Sequence, residues 1–356
     1  MRSCNTWFTK VAMRLLEGTA GGKGMDKLFN LSKILGLGSP TGVPLQEYYA
    51  QRKDGEQDRF LYNFFMPDHN YYVENQRKFH AGETSVDLGA PYGFLSNSSI
   101  GQGSLRVTPL QMARMIGVIA RGQSLPQLRM VREYREYENN VNRRGESTST
   151  PVPVVVGQQL TNLPGMERYG NYYLDTIRWA MYQTVNGHSI KQPVGNGKTL
   201  NWPPTGTRAQ PWRSASSQLK KEYPQYFSQY TFAGKTGTGQ HMYVGTPNES
   251  TVAWIGGMFP CTTVNQNNIH QQAYIPTPCQ GARVAVVAFY EGNPREKPVN
   301  GSSHAGPIMS DFLASKAMIN HIYNNPHATA RPINQNIPRS SLPTDDYREE
   351  TEKIKP

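Results

Sequence analysis

The sequence predicts an α/β chain of the α+β type, an antiparallel sheet flanked by helices, on three observations. Apolar residues recur at three- and four-residue spacing in five segments, the period of a helix with one buried face. Three runs rich in β-branched and aromatic residues, Tyr230 to Thr238, Thr251 to Phe259 and Ala282 to Tyr290, follow one another and read as strands, with a helical segment after the last. Glycine, proline and capping residues punctuate these segments where elements should begin and end.

Thr6 to Leu16 is the first expected helix, closed by Gly18, Gly21, Gly22 and Gly24. Met25 to Leu35 is the second, closed by Gly36 and Gly38. Pro109 to Ala120 has Thr108 as N-cap and proline at the first helical position, where its missing N–H costs nothing. Tyr173 to Val185 and Ala305 to Ile322 complete the set. Polar stretches at about 44 to 96, 137 to 151 and 187 to 230, rich in Asn, Gln, Pro and Tyr, read as loops decorating this scaffold. Residues 1–324 form one partial domain, and the prolines and mixed charges of 325–356 read as a disordered tail.

With 356 residues, 37% of them hydrophobic, the chain can build a sizeable core. Its net charge of +11 suits nucleic acid, anionic lipid or an acidic substrate. The basic residues are scattered, with small clusters such as Arg143-Arg144 and Lys220-Lys221. Zinc spacing, an aromatic RNA-binding signature and a recognition-helix pattern are all missing, so nucleic acid is not an expected partner. No metal or cofactor is expected either. Gln192 to Thr199 ends like a phosphate-binding loop, but Gln192 stands at its first glycine position and LNWPPTG cannot open a helix. Gly18 to Gly24 lacks a Ser or Thr after Lys23. No stretch approaches the roughly 18 apolar residues of a membrane span. Asn5, Thr6, Lys10 and Arg14 interrupt any signal-peptide pattern, so read literally the chain stays in the cytoplasm.

The cysteines are Cys4, Cys261 and Cys279. The last two flank the loop between two strands expected to be adjacent. In an oxidising compartment they would close a disulfide worth roughly 3 kcal/mol; otherwise they are two free thiols. Their Cα atoms should lie within about 7 Å.

Lys235-Thr236-Gly237-Thr238 carries the chemistry: Lys and Thr can hold a carboxylate, and Gly lets a substrate lie flat against the backbone. Two further segments accompany it, Ser3-Cys4-Asn5 at a helix start and Ser99-Ile100-Gly101-Gln102-Gly103 running into Val107-Thr108-Pro109-Leu110-Gln111-Met112-Ala113. In this order the three resemble the penicillin-binding transpeptidases. SIGQGSLRVTPLQMA is similar to the monofunctional class B branch, and the resemblance covers roughly residues 1 to 324. It implies the penicillin-binding transpeptidase or beta-lactamase-like fold and an enzyme that cross-links peptidoglycan stem peptides through an acyl-serine.

By that resemblance Ser3 relays a proton near the leaving group and Asn5 bonds the acyl-donor peptide. Lys235 supplies charge to the relay, Thr236 and Thr238 bind the terminal carboxylate, and Thr238 N–H is half of an oxyanion hole. Implied ligands are stem peptides and beta-lactams; other cell-wall synthesis proteins are possible partners. The family's nucleophile is the serine of an S-x-x-K box upstream of S-x-N, whereas here S-x-N begins at residue 3. The one S-x-x-K string, Ser217-Gln218-Leu219-Lys220, falls between S-x-N and KTG. The chain is therefore expected to be the C-terminal part of a larger protein, inactive alone, with the fold's N-terminal strands missing and Ala282 to Tyr290 left as an open sheet edge. The complete protein would sit on the outer face of the cytoplasmic membrane, held there only by an N-terminal anchor outside this chain. The alternatives are a degenerate binding or scaffold module and a beta-lactamase or D,D-carboxypeptidase of the same fold.

Overall fold

The computed structural model describes residues 4–17, 24–43, 48–51, 59–62, 66–122, 124–128, 133–141, 147–155, 160–162, 170–187, 190–193, 199–202, 221, 224, 230–241, 250–262, 274–275, 278–279, 281–293, 299–323 and 337–338. In chain order the elements are α1 (Asn5–Leu16), α2 (Met25–Ile34), β1 (Tyr48–Gln51), β2 (Arg59–Tyr62), α3 (His69–His80), α4 (Pro91–Ser99) and α5 (Pro109–Arg121). Then come β3 (Ser124–Pro126), β4 (Glu133–Val141), β5 (Ser147–Val155), β6 (Leu160–Asn162), α6 (Gly170–Asn186), β7 (Ile190–Pro193) and β8 (Thr199–Trp202). The last part holds β9 (Tyr230–His241), β10 (Ser250–Thr262), β11 (Tyr274–Ile275), β12 (Val284–Glu291), a π-helix (Gly301–Ala305), α7 (Gly306–Leu313), α8 (Lys316–Tyr323) and β13 (Ile337–Pro338).

Four of the five expected helices and all three expected strands are present, and the fifth helix is divided. Among the described residues the sheet order is β12-β10-β9, antiparallel throughout, with β12 at one edge and β9 at the other. Strand alternation gives the sheet two buried faces. Ala253, Ile255 and Ala288 pack against Ala305, Met309 and Leu313 of the C-terminal helices. On the opposite face Ala233 and Met258 pack against Ile116 and Ile119 of α5 and Met181 of α6. A third apolar cluster, with Ala12, Phe29, Phe94 and Leu95, joins α1, α2 and α4 into a helical layer that reaches Met112 and Met115 of α5.

α5 ties these layers together. Thr108 caps it with a full capping box: Gln111 N donates to Thr108 Oγ1 at 3.2 Å and Thr108 N donates to Gln111 Oε1 at 3.2 Å. Gln111 is fully buried, and its Nε2 donates to Ser39 O at 2.8 Å, while Arg114 Nη1 donates to Pro40 O at 3.0 Å. At its far end Ile119 O accepts from Arg178 Nε of α6, and Arg178 pairs with Asp175 one turn away, both side chains no more than 4% exposed.

Several elements depart from expectation, among them the β1–β2 hairpin within the 44 to 96 stretch. α3 and α4 occupy a stretch read as loop. α3 buries none of its residues, so it shows no apolar period; Asp68 starts it by accepting from Tyr71 N at 2.9 Å. α4 is nine residues long and buries only Phe94, Leu95 and Ser98. The expected helix Ala305 to Ile322 is instead divided at Ala314 and Ser315, where Ser315 Oγ accepts from Met318 N and begins α8. The 137 to 151 and 187 to 230 stretches contain the β4–β5 and β7–β8 hairpins. Within the tail, Ile337–Pro338 pairs with Tyr274–Ile275; its other residues, like Ser217 to Lys220 and most of both phosphate-loop lookalikes, lie outside the described residues. No described helix is long and apolar enough to cross a membrane.

Cys261 and Cys279 are joined as a disulfide, fully buried, with Cα atoms 4.3 Å apart. Cys261 lies on β10 just past a register shift at Phe259-Pro260, where proline offers no N–H to the ladder. Cys279 sits in a turn before β12 rather than on a strand, which corrects the expected placement at facing strand ends. Cys4 is a free, exposed thiol.

Two outcomes follow from these contacts. Thiol titration of the oxidised chain in denaturant should return one reactive thiol, Cys4; three would contradict the disulfide. Arg178→Met should lower the unfolding free energy by about 3–5 kcal/mol, because it strips the counter-charge from a buried carboxylate; urea denaturation with a loss under about 1 kcal/mol would show that the pair is dispensable.

Candidate functional site

β9 holds Lys235, Thr236, Gly237 and Thr238, opposite Gly256, Ile255, Trp254 and Ala253 of β10. In a ladder, successive residues turn their N–H and C=O to alternate sides. Gln102 fixes which side is which: its Nε2 donates to Thr238 O at 3.0 Å and its Oε1 accepts from Gln240 N at 3.2 Å. Thr236, Thr238 and Gln240 therefore turn their backbone groups to the outer edge of β9, and Lys235, Gly237 and Gly239 turn theirs to β10.

Side chains alternate between faces in the same way. Thr236 and Thr238 share a face with Ile255 and Ala253, on the side of the C-terminal helices. Lys235 projects on the α5 side and curls back over the strand, its Nζ donating to Thr236 O at 2.6 Å. This brings an ammonium to the outer edge at the Thr236 carbonyl. Lys235 is half-buried, and loss of solvent pulls its pKa below the usual 10.5. Gly237, Thr238 and Gln240 are exposed.

The start of the π-helix presses against this motif. A Cβ on Gly301 would fall 2.3 Å from Trp254 O, 2.8 Å from Thr236 Cβ and 3.0 Å from Gly237 O, so only glycine fits. One turn back along β9, the Phe232 ring lies across the Gly234 and Gly257 pair; a Cβ on Gly257 would meet it at 2.3 Å. The glycines thus bring ring and backbone close where side chains would hold them apart.

Asn5 is exposed in the first turn of α1, and Cys4 is the N-cap without a side-chain capping bond. Ser3 lies outside the described residues. Lys235, Thr236, Gly237 and Thr238 are brought together on one strand edge. Asn5 is linked to them through the packing of α1 on α4 and through Gln102, which lies just beyond α4 and grips β9. The disulfide is remote in role, closing the core under the other end of β10. Among the described residues no three His, Cys, Asp or Glu side chains gather as a metal site.

Sequence reasoning noted Gln102 as part of a motif and gave it no role. A signal was present in its flanks: Gly101 and Gly103 both adopt positive φ, 78° and 77°, a conformation that favours glycine and thrusts the intervening side chain outward.

What the arrangement can do chemically is bind the anionic end of an extended chain. The cation and hydroxyls meet the charge, while the open edge offers backbone partners to the chain itself.

Comparison with known families gives one match: the penicillin-binding protein transpeptidase domain, over residues 1–267. No curated protein matches the sequence. Among solved structures it is similar to a peptidoglycan synthase complex that coordinates polymerization and crosslinking, at 21% identity and a TM-score of 0.46, covering 88% of this chain and 36% of that one. It is also similar to penicillin-binding protein A from M. tuberculosis as a ceftriaxone acyl-enzyme complex, at 16% identity and 0.42, with 88% and 46% covered. A third is a peptidoglycan synthetase from Bifidobacterium adolescentis, at 15% and 0.40, with 88% and 38% covered. The chain thus spans less than half the length of each.

The burial of Lys235 sets a pH dependence. Below its folded pKa the ammonium bears the full desolvation cost; between that value and 10.5 the unfolded chain binds more protons, so stability rises with pH there. The urea midpoint of the parent chain should therefore gain on that of Lys235→Met as pH climbs toward 10.5. A gap that stays constant with pH would contradict the desolvation.

Proposed function

The chain belongs to the penicillin-binding protein transpeptidase family, and from that premise we propose that it supplies the carboxylate-binding wall of a peptidoglycan D,D-transpeptidase site. Supporting this above all is the outer edge of β9, where the Lys235 ammonium lies 2.6 Å from Thr236 O on the strand that also carries Thr236 and Thr238. A stem peptide ending in D-Ala-D-Ala lies along that edge. Its terminal carboxylate meets Thr236 Oγ1, Thr238 Oγ1 and the Lys235 charge, and its penultimate carbonyl faces Thr238 N–H as one half of an oxyanion hole. Asn5 bonds the donor peptide and Ser3 passes a proton to the departing amine. Beta-lactams occupy the same place, since their carboxylate and strained carbonyl repeat the donor's spacing.

In the full reaction a serine Oγ attacks the penultimate carbonyl and the terminal D-Ala leaves as an amine with the proton. The amine of a second stem then attacks the ester and regenerates the serine. The string Ser217-Gln218-Leu219-Lys220 lies between S-x-N and KTG, out of the family's order. The 356 residues alone therefore bind donor and do not form the acyl-enzyme. The disulfide supports an oxidising, extracytoplasmic setting, and cell-wall synthesis proteins are the natural partners there.

Isothermal titration should show reversible binding of an acetylated tripeptide ending in D-Ala-D-Ala. Thr238→Val should weaken it roughly tenfold or more, the worth of a hydrogen bond to a charged group. A fluorescent penicillin should leave no covalent label after denaturing electrophoresis. Stoichiometric labelling mapped to Ser217 would overturn the assignment of the binding half, and binding unaffected by Thr238→Val would remove the carboxylate site from β9.

A further inference from the structure

The Gln102 carboxamide occupies backbone groups that the proposed donor needs. It donates to Thr238 O and accepts from Gln240 N, the pattern a residue of a parallel neighbouring strand would make opposite Gly239. A peptide docking antiparallel uses the groups differently. Opposite Thr238 it needs both Thr238 N–H and Thr238 O, and opposite Gln240 both groups of Gln240. Gln102 takes one group from each pair. With its side chain seated, an incoming peptide finds its register intact only as far as Thr238 N–H.

The surroundings let this side chain leave without disturbing the fold. Its two bonds to β9 are solvent-exposed, while its own backbone is held separately, Gln102 N donating to Asn97 O at 2.9 Å. Gly101 leaves open space beside it, for a Cβ there would meet nothing within 4 Å. Displacement trades two hydrogen bonds for two others with the peptide, so the net cost is small.

Resting on the reading of β9 as the donor edge, we infer that Gln102 is a specificity-determining gate: its carboxamide closes the β9 edge beyond Thr238 N–H, and a donor that runs past Thr238 must displace it. While seated, the same contact shields an exposed strand edge from pairing with other chains.

The test compares the parent chain with Gln102→Ala on two probes. One is the acetylated tripeptide ending in D-Ala-D-Ala, which runs past Thr238. The other is propionyl-D-Ala, which keeps the carboxylate and the carbonyl but has no N–H for Thr238 O. The gate requires Gln102→Ala to bind the tripeptide roughly two- to tenfold tighter, the worth of about one hydrogen bond, and propionyl-D-Ala equally well. Equal tripeptide binding by both proteins overturns the gate. Weaker binding of both probes by the variant overturns it too, and makes Gln102 a staple that merely stiffens β9. Amide exchange at Gln240 reads the contact without any ligand: it should speed up in Gln102→Ala, and unchanged exchange refutes the bond itself. If exchange speeds up but neither protein binds either probe, it is the donor-edge reading that fails, and the gate falls with it.

Discussion

Everything else in this molecule depends on the two edges of β9 being used differently: β10 ladders along one, while the side chains of Asn186, Lys235 and Gln102 meet the other. β10 satisfies its inner edge over eleven paired positions, and both faces of the sheet are spent on packing, one against α5 and α6, the other against the π-helix, α7 and α8. Among the described residues, approach to the strand is thus from its outer edge, where side chains and not a ladder meet the backbone. The chemistry-bearing residues fall there because the strand's own alternation turns Thr236, Thr238 and Gln240 outward. Lys235, which alternation sends to the α5 face, returns by curling its long stem over the strand. A shorter cationic side chain at that position would not reach.

Much of this was legible in the sequence because it rests on local rules. The KTGT stretch sits in a β-branched, aromatic run, Thr108-Pro109 reads as a helix start, and Cys261 and Cys279 bracket an inter-strand loop. Each is settled by residues close in the chain. What escaped depends on distant partners. α3 stands on Asp68 and on the bond from His69 N to Asp26 Oδ1, not on an apolar stripe. Gln102 meets β9 across 136 residues, and nothing local announces a glutamine's partner. Ser3 and Asn5 are read from motif order alone, and α1, which carries Asn5, packs on α4.

The helical layer and the sheet are separate cores with few means of communication, and α5 is the chief one. Its capping box, the Gln111 and Arg114 bonds to the Ser39-Pro40 backbone, and the Arg178 bond at its far end fix its position from both termini. Its central Ile116 then reaches over Gly256 of β10, where a Cβ would stand 2.5 Å from the isoleucine methyl. Displacing α5 would disturb the strand that aligns β9. Thr108 to Ala113 thus acts as a structural splint, holding α5 against the strand beside β9.

The Cys261–Cys279 bond has a consequence for how this chain can change over time. It clamps the two ends of a polar excursion to Cα atoms 4.3 Å apart at the floor of the core. Beyond such a clamp, added length is cheap: doubling a loop costs only about 0.6 kcal/mol in closure entropy. Sequence between the two cysteines can therefore drift or grow on either side of Tyr274–Ile275, which pairs with Ile337–Pro338, while the strands beneath keep their register. The same bond would hold the pieces together if a protease cut between them. The bridge thus keeps a nicked chain in one piece at the place where the strands are anchored.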